Sequence, residues 1–192
     1  MILPCTVFVK MVLDGLDNAV PIEIVIVPLT STFEPDPDIM PLSVMIRPPE
    51  GMKALPEYYP RSLAASVPEI EKARTFGVST EKACWSIDRW FSKLSVDKLM
   101  PISFGYALIA PCLMHWMGSD FYFEIFDWSN VDLVTLARCS LDREKANMVP
   151  LTVYRLLRAC NTNEDRHDDC MTIAVSIARA YQFSLDHLPI WW

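Results

Sequence analysis

The stretch VFVKMVLDGLDNAVPIEIVIVPL, residues 7–29, predicts two buried β-strands joined by a turn. Val7–Leu13 and Ile22–Val27 are nearly continuous apolar runs rich in β-branched residues, which is typical of strands covered on both faces. Asp14-Gly15 between them is a common turn pair. We therefore expect a sheet with Val7–Leu13 at its centre and helices on both sides.

The residues around this turn form a pattern with a known counterpart. Gly15-Leu16-Asp17 and Pro21-Ile22-Glu23-Ile24 stand in the order and spacing found after the first strand and at the second strand of the DEDD (DnaQ-like) 3′-5′ exonucleases. Phe76-Gly77-Val78-Ser79 is similar to the short turn before a helix in the same family. The resemblance implies an α/β, RNase H-like fold with a mixed five-stranded sheet flanked by helices.

The first catalytic motif of that family is not matched. In this family, four carboxylates from three motifs hold two divalent ions about 3.5 to 4 Å apart. Counting back from Gly15, the two acids of the first motif fall on Lys10 and Val12, an ammonium and a hydrocarbon. Neither can ligate Mg²⁺ or Mn²⁺, which take oxygen ligands.

The second motif is not matched either. Its Phe-Asp pair falls on Ala110-Pro111, and the sequence has no Asp or Glu between Lys98 and Ser119 that a shifted alignment could use. We expect no functional catalytic residue and no metal cofactor. Mg²⁺ or Mn²⁺ enters only under the alternative that the chain is active.

The third motif allows two registers, each of which keeps one group and loses the other. In one register Asp169 is the last acid and Glu164 stands where the general base belongs. In the other, His167 is the base and Thr172 falls on the acid. Without the resemblance, Asp165–Asp169 is a charged loop that caps the N-terminus of a helix, where the dipole favours carboxylates.

The environment of the Lys10 side chain has two interpretations. Its ammonium can pair with Asp169 or Glu164 and stabilise a site that has lost its metals, or it can be solvated at the end of a strand. A displaced metal between Asp14 and Asp169 is the corresponding interpretation for an active enzyme.

Local signals predict the remaining elements. Proline and acids begin a helix at Pro68 that Gly77 ends, and Ser79 caps a helix whose apolar stripe is Cys84, Ile87, Phe91 and Leu94. The further predicted elements are a third strand at Leu42–Arg47, a parallel strand at Pro101–Phe104 with a helix through Met117, a non-solvent segment at Phe121–Phe126, a helix at Leu133–Cys139 capped by Ser129 with Asp132, a helix at Leu151–Cys160, and a last helix at Asp168–Gln182 that packs on the sheet.

Composition favours one intracellular domain. The 192 residues are 52% hydrophobic and carry a net charge of −7, so we expect one exonuclease-like domain over 1–192 with an apolar tail at 183–192. Six dispersed cysteines without a CxxC pair indicate reduced thiols and a cytoplasmic location. No stretch is long and apolar enough to predict a membrane span.

Three functional hypotheses follow. The first is an inactive, exonuclease-like protein that acts as a protein-interaction or accessory subunit. The second is an active 3′-5′ exonuclease on single-stranded DNA or RNA with a displaced or partner-completed metal site. The third is a viral or mobile-element inhibitor of a host nuclease or nucleoprotein complex. The acidic charge predicts a partner with a basic surface and weak or absent binding to free nucleic acid. Oligomerisation through the apolar C-terminal tail is a further option.

Overall fold

The computed structural model describes residues 1–56, 63–140 and 169–186, with side chains of 137–140 left aside. The strands are β1 Ile2–Leu13, β2 Ala19–Pro28, β3 Leu42–Met45, β4 Lys98–Ser103 and β5 Val131–Asp132. The helices are α1 Val67–Phe76, α2 Thr80–Phe91, α3 Tyr106–Met117, α4 Ser119–Ile125, α5 Leu133–Ser140 and α6 Cys170–Asp186.

The five strands form one mixed sheet in the order β3-β2-β1-β4-β5. β1 pairs antiparallel with β2 and parallel with β4, and β2 pairs antiparallel with β3. Every residue of Cys5–Leu13 is buried, as expected of a strand covered on both faces. The predicted fold class and the central position of Val7–Leu13 are confirmed.

The turn between β1 and β2 is held by Asp14. Its Oδ1 accepts hydrogen bonds from the backbone N–H groups of Leu16 at 2.8 Å and Asn18 at 2.9 Å. This is the local bonding that makes aspartate a turn residue. The left-handed residue is Asp17, with φ of 66°, rather than Gly15.

Gly77 ends α1 for a steric reason. A Cβ atom at this position would lie 2.3 Å from the Ala73 carbonyl oxygen and 2.6 Å from the Arg47 nitrogen. The close approach lets Val78 bridge to Ile46 directly beyond β3. The predicted stop at Gly77 therefore also fixes the helix against the end of the sheet.

The capping predictions have mixed outcomes. Ser79 begins α2, and its side chain accepts a hydrogen bond from the Lys82 N–H as predicted. The predicted cap of α5 at Ser129 is wrong. The N–H and hydroxyl of Ser129 both donate hydrogen bonds to Asp127. Asp132 caps α5 instead, accepting from Val134 N–H at 2.9 Å.

The predicted apolar stripe of α2 is confirmed at Ile87, and Phe91 and Leu94 pack against the core, but its first buried residue is Ala83 rather than Cys84. Ala83 and Ile87 are its fully buried positions, whereas Cys84 is only half-buried. Phe121–Phe126 is not a solvent loop, in line with the prediction, because it belongs mostly to α4 and buries Tyr122 and Ile125.

The last helix covers the sheet as predicted. α6 contacts β1, β2 and β4, and it continues to Asp186 rather than ending at Gln182. Its buried stripe is the predicted one: Cys170, Ile173, Ala174, Ile177, Ala178 and Tyr181. The predicted helix at Leu151–Cys160 and the end of the tail, residues 187–192, lie outside the described residues.

In the described part of the chain, no helix has the length and apolar character needed to cross a membrane.

Candidate functional site

Lys10 is buried in the middle of the sheet and forms an ion pair with helix α1. Its side chain is 8% exposed, and its Nζ lies 3.1 Å from Glu69 Oε1. In the β1–β2 pairing Lys10 stands opposite Glu23, and the register shifts immediately after it. A buried ammonium needs such a partner because desolvation of an unpaired charge costs several kcal/mol.

Glu69 is prepared for this role by the first turn of α1. Its second oxygen, Oε2, accepts the Ser66 backbone N–H at 2.6 Å. Burial acts to raise the pKa of Glu69, but the hydrogen bonds from Ser66 and the positive charge of Lys10 outweigh it, so the pKa is lowered overall. Glu69 is therefore ionised at neutral pH, and the contact with Lys10 is a charged one.

Val12 lies in an apolar cluster. The cluster contains Val12, Val20, Ile22 and Ala73, and the half-buried residues Met45, Met52, Ala65, Ile70 and Trp116 pack against it. Val12 is only 2% exposed. The side chains of β1, β2, α1 and α3 thus surround Val12 with hydrocarbon and an indole ring, which offer no ligand to a cation.

Ala110 and Pro111 lie in the interior of α3. This helix contains no Asp or Glu residue. Ala110 is buried, and Pro111 is exposed at the wall of an open groove. The opposite wall of this groove carries Asp17 and Asn18 from the β1–β2 turn.

Asp169 caps α6 and does not reach Lys10. Its Oδ2 accepts the Thr172 N–H at 3.0 Å and the Thr172 hydroxyl at 2.5 Å. The hydrogen bond from the Thr172 hydroxyl is the main reason why the pKa of Asp169 is lowered. The interpretation of Lys10 as a solvated side chain is wrong, because the side chain is 8% exposed. Asp169, one of the two partners considered in the other interpretation, is not its partner either, because Glu69 takes that place. The predicted cap at Asp169 is confirmed.

A cleft of about 310 Å³ lies between α1, β2 and the start of α6. Its charged walls are Glu23, Glu69, Lys72 and Asp169. Positive and negative groups alternate here: Lys72 lowers the pKa of Asp169, as Lys10 does that of Glu69. The cleft is a polar surface in which carboxylates have ammonium neighbours.

Cys170 lines this cleft and is buried. Burial is the main reason why the pKa of its thiol is raised, and the neighbouring Glu23 carboxylate raises it further. A thiol in such surroundings stays protonated and is a poor nucleophile. Glu164 and His167 lie outside the described residues, so both registers of the third motif stay predictions.

Sequence reasoning missed one contact near the turn. His115 Nε2 on α3 lies 3.8 Å from Asp14 Oδ2, and this pairing helps to lower the pKa of Asp14 after the larger effect of the Asn18 backbone hydrogen bond. The two residues are far apart in the sequence, and neither belongs to a metal-binding or catalytic spacing. Only the packing of α3 against the turn brings them together.

Solved structures with a similar fold are nucleases. Cell-death related nuclease 4 has a TM-score of 0.65 at 10% identity, covering 96% of this chain and 64% of its own. Exonuclease I from Methylocaldum szegediense has a TM-score of 0.61 at 14% sequence identity, and the match covers 96% of this chain and 42% of that enzyme. E. coli exonuclease I in complex with a dA16 oligonucleotide has a TM-score of 0.60 at 15% sequence identity, and the match covers 97% of this chain and 41% of that enzyme. The chain has the fold of the DnaQ-like exonucleases.

This likeness is one of fold. The chain spans less than two thirds of the length of each of these nucleases. No protein-family model matches the sequence, and no curated protein is similar to it. The mixed sheet flanked by helices is thus RNase H-like, as the sequence predicted.

The described residues do not fit the metal pair that DnaQ-like exonucleases use. Among residues 1–56, 63–140 and 169–186, no three His, Cys, Asp or Glu side chains form a group that could hold a metal ion. Lys10 presents a positive charge to Glu69, and Val12 is enclosed by apolar side chains. A two-metal site needs several carboxylates that converge on the same ions.

Proposed function

We propose that this chain is a catalytically inactive, exonuclease-like protein that acts as a protein-interaction or accessory subunit. The observation that carries the proposal is the buried Lys10–Glu69 ion pair on the central strand, where the resemblance to DEDD exonucleases calls for a metal-binding aspartate. An ammonium there neutralises a carboxylate that would otherwise attract a cation. The local field then opposes Mg²⁺ instead of holding it.

The surroundings of Lys10 support the same proposal. Val12 stands where the resemblance calls for a metal-binding glutamate. The apolar cluster around it packs this part of the core without a metal ion. Ala110 and Pro111 supply no carboxylate from α3. Because a fold does not by itself assign a function, we propose that this domain acts by binding a protein partner through its surface.

The net charge gives the character of the partner. With 24 acidic and 17 basic residues the chain carries −7, which favours a basic protein surface and disfavours free nucleic acid. A host nuclease or a nucleoprotein complex inhibited by a viral or mobile-element protein fits this description. We propose a cytoplasmic location, with no metal cofactor.

Exonuclease assays test the proposal. We expect a 5′-labelled single-stranded DNA or RNA to keep its length with the purified chain in Mg²⁺ or Mn²⁺, because no two-metal site forms. The measurement is product length by denaturing electrophoresis, with E. coli exonuclease I as the positive control for DNA. Degradation that the Asp169→Asn variant loses would favour the active-nuclease alternative. Degradation that this variant keeps comes from a contaminant if the activity separates from the chain on gel filtration, and from a site that does not use Asp169, which also contradicts the proposal, if it elutes with the chain.

A further inference from the structure

Large apolar side chains are exposed near the end of the sheet at which β1 and β4 begin. Ile2 is 49%, Phe123 45% and Trp128 82% exposed. Three contacts hold their segments together: Ile2 pairs with Lys98 between β1 and β4, the Lys98 ammonium donates to the Phe123 carbonyl, and the Asp127 N–H donates to the Leu99 carbonyl at 2.8 Å. We call Ile2, Phe123 and Trp128, with the acids described next, the α4 edge.

The α4 edge is acidic throughout. Residues 119–132 contain Asp120, Glu124, Asp127 and Asp132 and no lysine or arginine. Asp120 and Glu124 are exposed beside Phe123 on α4, and residues three or four positions apart share a helix face. Lys98, the neighbouring cation, is already bound to the Phe123 carbonyl and lies near Asp127. Lys98 keeps its positive charge beside Asp127, so the four carboxylates of residues 119–132 exceed this neighbouring cation and leave the α4 edge with a net negative charge.

Trp128 differs from the other strongly exposed tryptophan in the described residues. The guanidinium carbon of Arg89 lies 5.1 Å from the centre of the Trp85 ring, so that ring face is occupied by a cation–π contact. In the described part of the chain, no cation lies over the Trp128 ring. An exposed indole beside carboxylates is a favourable site for an arginine or lysine side chain, which gains from both.

We propose that the α4 edge binds a basic segment of a partner protein, with an arginine or lysine over Trp128 and an apolar residue against Phe123 and Ile2. The proposal rests on the proposed function, since it names the surface through which the inactive domain acts. Charge complementarity selects the occupant. A nucleic acid would bring phosphates against Asp120, Glu124 and Asp127, and like charges across an interface are unfavourable.

The test uses a defined probe. The ¹⁵N-labelled full chain is titrated with an acetylated, amidated decapeptide of alternating arginine and leucine, and with the glutamate–leucine counterpart. We expect the indole N–H signal of Trp128, assigned by its absence in Trp128→Phe, to shift saturably with the arginine peptide and not with the glutamate peptide.

Two variants with equal charge change separate the α4 edge from general attraction to an acidic protein. Trp128→Ala with Glu124→Gln is expected to weaken binding of the arginine peptide tenfold or more, because it removes the ring and one carboxylate; the affinity is read from backbone amide shifts, since this variant lacks the Trp128 indole. Trp85→Ala with Glu81→Gln is expected to leave the affinity within twofold. All four residues are exposed, so both variants should fold, which melting temperatures check.

Four results would overturn the proposal. They are equal weakening by the two variants, no saturable shift of the Trp128 indole, the same shift with single-stranded dT20, and a self-association in sedimentation velocity that Trp128→Ala abolishes. The last result would assign the α4 edge to a second copy of this chain. None of these results bears on the nuclease assay, so this inference and the proposed function fail separately.

Discussion

Glu69→Gln is expected to lower the free energy of unfolding by about 2 to 3 kcal/mol. The variant keeps an oxygen for the Ser66 N–H but leaves the Lys10 ammonium, 8% exposed, without its ion-pair partner. Removing one partner of a buried ion pair costs about 3 to 5 kcal/mol, and the 21% exposure of the Glu69 side chain reduces that figure. Urea denaturation monitored by circular dichroism measures the loss.

The converse substitution is the control. Lys10→Met leaves the Glu69 carboxylate without its ammonium partner, but that carboxylate is 21% exposed and keeps the Ser66 N–H, so we expect a smaller loss than for Glu69→Gln, about 1 kcal/mol. In the double variant, Glu69→Gln should then cost less than 1 kcal/mol. If Lys10→Met were as destabilising as Glu69→Gln and the two effects added, the ion pair would not be the cause.

The same carboxylate gives stability a pH dependence of known sign. Because the pKa of Glu69 is lowered from its ordinary value of 4.5, folding favours the ionised form. The contribution is complete above pH 4.5 and is lost as the pH falls through the lowered value. Glu69→Gln should flatten the acid limb of the stability curve but not abolish it, since the pKa of Asp169 is lowered as well.

Restoring the two acids of the first motif is expected to damage the protein without creating an enzyme. Val12→Glu places a carboxylate in the cluster around Val20, Ile22 and Ala73, and Lys10→Asp sets a second carboxylate toward Glu69. The expected cost for the double variant is about 4 kcal/mol or more. We expect no exonuclease product, because α3 still lacks the second-motif carboxylate.

The matched control makes the same chemical changes at exposed positions. Lys82→Asp with Val67→Glu alters the net charge equally, and Val67 is 72% exposed, so a cost below about 1 kcal/mol is expected. Urea midpoints and the labelled-oligonucleotide assay measure both variants. Exonuclease turnover in the Lys10→Asp/Val12→Glu variant would refute our interpretation of Ala110 and Pro111.

The sequence predicted those features that local physics determines. The β-branched runs of Val7–Leu13 and Ile22–Val27 specified buried strands, and the 3.6-residue period from Cys170 to Tyr181 specified the core face of α6. Ser79 was predictable as a cap because its bonding is confined to one turn.

The partner of Lys10 could not be predicted because it depends on packing. Glu69 is 59 residues away in the sequence (69 − 10), and only the placement of α1 against β2 brings it to Lys10. Pattern matching considered only carboxylates of the exonuclease motifs, Asp169 and Glu164, beside a solvated Lys10, and therefore missed Glu69. The prediction that Ser129 caps α5 with Asp132 failed for a local reason, since Asp127, two residues earlier, takes the Ser129 hydroxyl and α5 begins only at Leu133.

The most direct test of the claim that this domain holds no catalytic metals is its melting temperature in millimolar Mg²⁺ and Mn²⁺. An ion that binds the folded state must raise the melting temperature, and the ammonium of Lys10 opposes such binding. We predict a value unchanged within about one degree for either ion. A rise of several degrees that the Asp169→Asn variant abolishes would contradict the claim and would favour an active nuclease.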